Sequence, residues 1–235
     1  MSRAGYVELK HALSAVALRA VENPADAPTA NALAAYARLG GGHPVPGADV
    51  ARALGTTPDD VWQRLTESGL FDAAAGGDRP ALAAAYAPHA AYFARQAVRL
   101  AEAVRILGEG APPGMPDVVR RGVALFNAGL FYECHEYLEG AWRAARGQDR
   151  AFYHSLIQAA AACYHDEKGN RHGARVLASK AAEKLRAFAP AHDGIDVAAL
   201  LAGLEVLCAG AASGVPRPRN RSDLPVITLA ADAGA

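Results

Sequence analysis

Cysteine is scarce in this chain. The three cysteines, Cys134, Cys163 and Cys208, are odd in number and show no CxxC spacing. That argues against a disulfide framework and against a cysteine-rich zinc site. An excess of charge of one sign is also missing, since 24 Lys and Arg balance 24 Asp and Glu. No global field therefore draws nucleic acid or an anionic membrane. No apolar run approaches the roughly 18 residues needed to span a bilayer, so no membrane partner is expected. Met1 to Gly5 leads into Tyr6, Glu8, Lys10 and His11 without an apolar stretch behind the first charge. The expected location is the cytoplasm. Val, Ile and Thr are sparse outside a few places, while Ala and Leu are abundant, which favours helices over strands. Hydrophobic residues make up 51% and charged residues 20% of the 235. That is enough apolar side chain to close a core, and it excludes a wholly disordered chain.

The apolar periodicity predicts helices. Tyr6 to Val21 carries Leu9, Leu13, Val16, Ala17 and Ala20 on one face and stops before Asn23-Pro24, as helices do ahead of proline. Further helices are expected over about Thr29–Leu39, Ala90–Leu107, Asp117–Ala128, Phe131–Ala145, Asp149–Glu167, Arg171–Phe188 and Val197–Ala209. The run from Gly108 to Pro116 reads as a linker. The expected organisation is therefore a domain over 1–107, a linker over 108–116, a helical bundle over 117–210 and an extended tail over 211–235. Gly129 and Gly169 stand 40 residues apart, each between two helices. The bundle thus reads as a faint repeat of helical hairpins.

In the first domain, Ala48 to Leu65 resembles a helix-turn-helix. Ala51, the turn residue Gly55 and Val61 have the spacing that lets two helices cross closely. Gly76-Gly77-Asp78 could form the tip of a short hairpin or wing. A DNA reader wants Lys and Arg near its recognition helix. Here Arg52 and Arg64 stand against Asp49, Asp59, Asp60, Glu67 and Asp72, so DNA binding is disfavoured. Arg217, Arg219 and Arg221 in the tail are the only basic patch, and with Pro216 and Pro218 they read as a solvated tail.

The densest cluster of unusual residues runs from Phe126 to Trp142. At about 100° per residue, Phe131, His135, Leu138, Glu139 and Trp142 share one helix face. Glu136 lies at the edge of that face. Glu133 lies farther round, near the helix start, where a negative charge suits the macrodipole. Trp142 and Tyr132 read as core, and Cys134 and Cys163 as small buried residues. The following helix carries His154, Gln158, Ala161 and His165 on one face among small and apolar neighbours. A buried His or carboxylate costs several kcal/mol unless it is paired or binds something. Two readings follow. In one, His135, Glu139, Gln158 and His165 form an interior hydrogen-bond network that fixes helix register. In the other, His135, Glu139 and His165 are three ligands of a divalent metal with an open position, and Glu136 is a general base. The segment is not HExxH, because Glu139 stands where the second His would be.

At these residues the chain resembles the helical family classed as domain of unknown function 309. The segments that carry the resemblance are Phe126-Asn127-x-Gly129, Glu133-x-His135-Glu136-x-Leu138-Glu139-x-x-Trp142, Ile157-Gln158-x-Ala160-Ala161, and His165 followed by Gly169-Asn170-x-x-Gly173-Ala174. They lie in order between Asp117 and Phe188. The resemblance implies an all-α bundle and no particular activity. It also brings Asn170 into the polar set.

The expectation is an all-α protein: a helical-hairpin bundle preceded by a smaller helical domain with a helix-turn-helix core that could be winged. The leading functional expectation is a binding or scaffold protein for an unknown small molecule or protein. It would be built around an interior cluster of Glu133, His135, Glu139, Trp142, Gln158, His165 and Asn170. The alternatives are a metal-dependent hydrolase-like enzyme and a ligand-sensing transcriptional regulator. A divalent metal as cofactor and a homodimer both stay open.

Overall fold

The computed structural model describes residues 3–41, 43–72, 79–212 and 224–230. Among these residues it contains ten α-helices and one two-stranded hairpin, so the fold is all-α. No helix among the described residues is long and apolar enough to cross a membrane. The chain divides into two compact units, residues 1–108 and 109–235.

The first unit holds α1 (Arg3–Glu22), α2 (Ala27–Gly40), α3 (Gly47–Leu54), α4 (Pro58–Glu67) and α5 (Ala90–Gly108). Its centre is α2, whose Ala32, Leu33, Ala34 and Tyr36 are buried and which packs on α5, α3 and α4. Tyr36, Phe71 and Phe93 meet edge to face, with centroids 4.8 to 6.0 Å apart. Helices α3 and α4 form the expected helix-turn-helix about Gly55, with Ala51 and Val61 buried between them. Thr57 caps α4 by accepting the Asp60 amide at 3.2 Å. Phe71 pairs antiparallel with Leu82 through an isolated bridge. The expected hairpin tip, Gly76-Gly77-Asp78, lies outside the described residues.

The second unit holds α6 (Asp117–Asn127), α7 (Phe131–Ala144), α8 (Gly147–Glu167), α9 (Arg171–Leu185), β1 (Ala191–His192), β2 (Ile195–Asp196) and α10 (Val197–Ala212). Each helix packs on the next: α6 on α7, α7 on α8 and α8 on α9; α9 then meets α10. Two turns of the same kind make this possible. After α6, the amide of Leu130 reaches back to Leu125 O at 2.9 Å; after α8, that of Asn170 reaches His165 O at 2.9 Å. Between them sit Gly129 at φ 80° and Gly169 at φ 74°, a left-handed position that side chains disfavour. The 40-residue spacing is thus a repeated helix stop. Phe126 and Phe131, on either side of the first turn, are buried and meet edge to face at 5.2 Å. Full burial of each contributes roughly 1.5–3 kcal/mol.

Two features depart from the sequence reading. Helix α9 ends at Leu185 and tightens into a 3-10 turn over Arg186–Phe188 rather than running to Phe188. The hairpin β1–β2, turned by Asp193 and Gly194 at positive φ, was not expected, although Asp-Gly is a strong hairpin signal. The tail over Leu224–Leu229, expected to be extended, docks along the hairpin. Asn127 clamps it from both sides, donating to Ile227 O and accepting from Ile227 N, each at 2.8 Å. Asp196 N donates to Thr228 O, and Ala230 N to Gly194 O. The arginines at 217, 219 and 221 and the prolines at 216 and 218 lie outside the described residues.

Candidate functional site

Helices α7 and α8 pack side by side, and the expected polar cluster sits where they meet. It is neither one cluster nor an interior one. The His135 and Glu136 side chains are 34% and 38% exposed, and that of Glu139 is 31% exposed. Glu133 is the acid that turns inward. It stands in the first turn of α7 as expected, but its side chain is buried rather than set out at the helix end. Asp166 on α8 is buried as well. Trp142 is half-exposed rather than core.

The first half of the cluster is a cleft of about 200 Å³ between α7 and α8. Phe131, Tyr132, His135 and Glu136 line it from α7; Ala161, Tyr164 and His165 line it from α8. Tyr132 is therefore part of a cleft wall and not core. Its ring meets that of Tyr164 at 5.9 Å. Burial, and then the charges of Glu136 and Glu133, push its phenol above the ordinary range. On the α7 side, His135 Nδ1 lies 3.3 Å from Glu136 Oε1. One ligand atom from each of His135, Glu136 and Glu139 falls within 4.8 Å of the others. Glu139 also holds Arg143 at 2.9 Å.

His165 does not complete that ligand set; it lines the other side of the cleft. Its Nδ1 lies 2.8 Å from Asn170 Nδ2. Asn170 caps α9, and its oxygen accepts the Gly173 amide at 3.0 Å. That bond turns the amide nitrogen, which can only donate, toward the imidazole. Neutral His165 must then carry its proton on Nε2. Metal-bound histidines instead donate from the nitrogen that does not bind the metal. His165 is thus built as an N–H donor, which removes it from the expected ligands. Gly173 is part of the device, since a Cβ there would fall 2.8 Å from His165 Nδ1.

The second half lies at the other end of α8. Gln158 does not meet His135 or His165. Its Oε1 accepts from Lys184 Nζ of α9 at 3.0 Å, and the same ammonium reaches His154 Nδ1 at 3.2 Å. The His154 ring lies 5.5 Å from that of Trp142. The Arg150 guanidinium sits 4.1 Å from the Trp142 ring centroid and donates to Trp142 O at 2.8 Å. Burial holds His154 below the ordinary imidazole range, helped by Lys184 and Arg150. Burial and the Lys180 charge likewise hold Lys184 below the ordinary lysine range, and Glu183 opposes this only weakly.

Sequence reasoning missed Lys184, Arg150 and the tyrosine walls. Lys184 was legible in part, because it stands three residues after Ala181 and one before Leu185, both buried. That places it at the edge of the face α9 presents to its neighbours. The cysteines behave as expected where they are buried: Cys134 and Cys163 lie in the core, and burial pushes the Cys134 thiol up. A larger groove, about 640 Å³ and lined by α9 and α10, includes Ser179 and Cys208. Those two groups meet each other at 3.6 Å, and Glu183, Arg186 and Glu205 also line the groove.

No curated protein and no solved structure matches this chain. Residues 119–177, from α6 into α9, match the family model described as Domain of unknown function (DUF309), and over that segment the chain resembles this family.

Proposed function

We propose that the second unit is a ligand-binding domain whose α7–α8 cleft takes a divalent metal on His135, Glu136 and Glu139. The observation that carries this reading is the convergence of one imidazole and two carboxylates within 4.8 Å, two of the three residues lining a small aromatic cleft. One nitrogen and two carboxylate ligands suit Mn²⁺, Fe²⁺ or Zn²⁺. Three protein ligands leave open positions for a ligand of the metal. The Nε2–H of His165 stands ready as a donor to that ligand. Glu136 acts here as a metal ligand rather than as a general base, so the reading is a binding domain and not a hydrolase. Calorimetric titration of the chelator-treated, untagged protein with each metal tests it. Saturable one-site binding that is lost in His135→Ala supports the reading. Heat indistinguishable from dilution for all three metals would remove it.

The first unit fits a protein-interaction module better than a DNA reader. Arg64, the base on α4, is held by Asp60 at 2.7 Å, and Asp59 and Asp60 occupy the first turn of that helix. A mobility shift at physiological salt should show no tight duplex binding. Nanomolar binding that Arg64→Glu abolishes would reverse this assignment.

A further inference from the structure

We propose that His154, Gln158 and Lys184 form a second site, separate from the metal cleft, for the oxyanion of a small carboxylate or phosphate ligand. Lys184 spends two of its three N–H groups, one on Gln158 Oε1 and one on His154 Nδ1. Those two bonds fix what each partner has left to offer. Because the Gln158 oxygen is taken, its NH₂ group remains. Because the His154 Nδ1 lone pair is taken, the neutral ring must carry its proton on Nε2. Lys184 keeps one N–H of its own. The open groups at this spot are thus all donors, from two helices, and one of them is cationic. A site with only donors is satisfied by a ligand with only acceptors, and an ionised acceptor makes the stronger bonds.

The charge around the cluster points the same way. Among the described residues no carboxylate forms an ion pair with Lys184, His154 or Arg150, although the Glu183 charge acts on Lys184 without a direct bond; the polar partners of Lys184 are neutral, and those of Arg150 are a carbonyl and an indole. Burial and neighbouring cations already oppose the charged forms of His154 and Lys184. A bound anion would relieve that opposition.

The test is titration of the full chain, metal removed by chelator, with inorganic phosphate and separately with acetate. The control is sodium chloride at matched ionic strength, and the readouts are calorimetry and the ¹⁵N shifts of the His154 ring. The expected result is saturable binding of at least one anion and an upward move of the His154 titration. Lys184→Met and Gln158→Glu should each weaken binding by about tenfold or more, as loss of a charge-assisted bond requires. Lys180→Met should leave the His154 ring response in place. Response to phosphate alone assigns a phosphate ligand, and response to acetate alone a carboxylate. If Lys184→Met loses its helical circular dichroism, Gln158→Glu decides, because it keeps an acceptor for Lys184 while repelling an anion. No saturation beyond the chloride control, or equal binding by wild type and Gln158→Glu, would overturn the proposal.

Discussion

The two ends of α8 differ in what they offer a ligand. Toward its C-terminal end, His165 faces a cleft whose other side holds His135 and Glu136, with Glu139 beside them. Toward its N-terminal end, His154 and Gln158 meet Lys184. The first region gathers carboxylates, and we propose it for a cation; the second is left with donors, and we propose it for an anion. Yet both histidines are prepared in the same way. Each has its Nδ1 turned to a donor, Asn170 in one case and Lys184 in the other, which leaves Nε2–H for a ligand. The neighbours on α7 and α9, not the histidines, decide the sign of the site. This agrees with the general rule that side-chain partners set what an imidazole does.

The largest expected effect breaks the comparison at the cation end. At a free metal concentration about a hundred times its Kd, mass action should stabilise the wild type by about 2.7 kcal/mol. His135→Ala should lose that response, while its phosphate titration stays like the wild type. Thermal melting with chelator and with Mn²⁺ or Zn²⁺ reads both halves. Next in size is Gly173→Ala. The added Cβ would press on His165 Nδ1 and Asn170 Nδ2, at 2.8 and 2.9 Å, and displace their hydrogen bond at a cost of about 1 kcal/mol. Chemical denaturation should show that loss, and ring NMR should show His165 shifted with His154 undisturbed. A smaller change sharpens the comparison. Arg143→Ala frees Glu139 from its ion pair. An exposed pair is worth at most about 1 kcal/mol, so metal affinity should rise by no more than about fivefold, as calorimetry would record.

The smallest effect is on pH dependence. His154 has a folded pKa below its ordinary 6.5, chiefly because it is buried. The unfolded chain therefore takes up its proton first. The stability that the neutral ring contributes is present above pH 6.5 and is lost as pH falls from there through the folded value. His154→Phe should flatten this part of the stability–pH curve measured by urea unfolding. His165→Phe should leave it in place.

Much of the fold was legible in the sequence, because apolar periodicity and glycine stops act locally. The ten helices follow the spacing of residues such as Leu9, Leu13 and Val16 in α1, and the repeated turns follow Gly129 and Gly169. The site was legible only as far as one helix reaches. That His135 and Glu139 share a face is a property of α7 alone. Where Gln158 points its oxygen depends on Lys184, 26 residues later on another helix, and periodicity carries no information about that. Burial was misjudged for the same reason. Glu133 looks peripheral on a helical wheel, but the surrounding helices enclose it. Trp142 looks like core, but its ring lies under the Arg150 guanidinium at the edge of the bundle. The hairpin at 191–196 rests on the Asp193-Gly194 pair, and its two-residue strands are too short to show alternation.

The central claim is that the cation binds on His135, Glu136 and Glu139 and not on the Lys184 cluster. The most direct measurement titrates substoichiometric Mn²⁺ into ¹⁵N-labelled protein and follows paramagnetic broadening residue by residue. The expected result is early loss of the amide signals of Tyr132, His135, Glu136, Glu139 and His165, with that of Lys184 fading later and the pattern absent in His135→Ala. Broadening spread evenly over exposed carboxylates, or unchanged by His135→Ala, would contradict it.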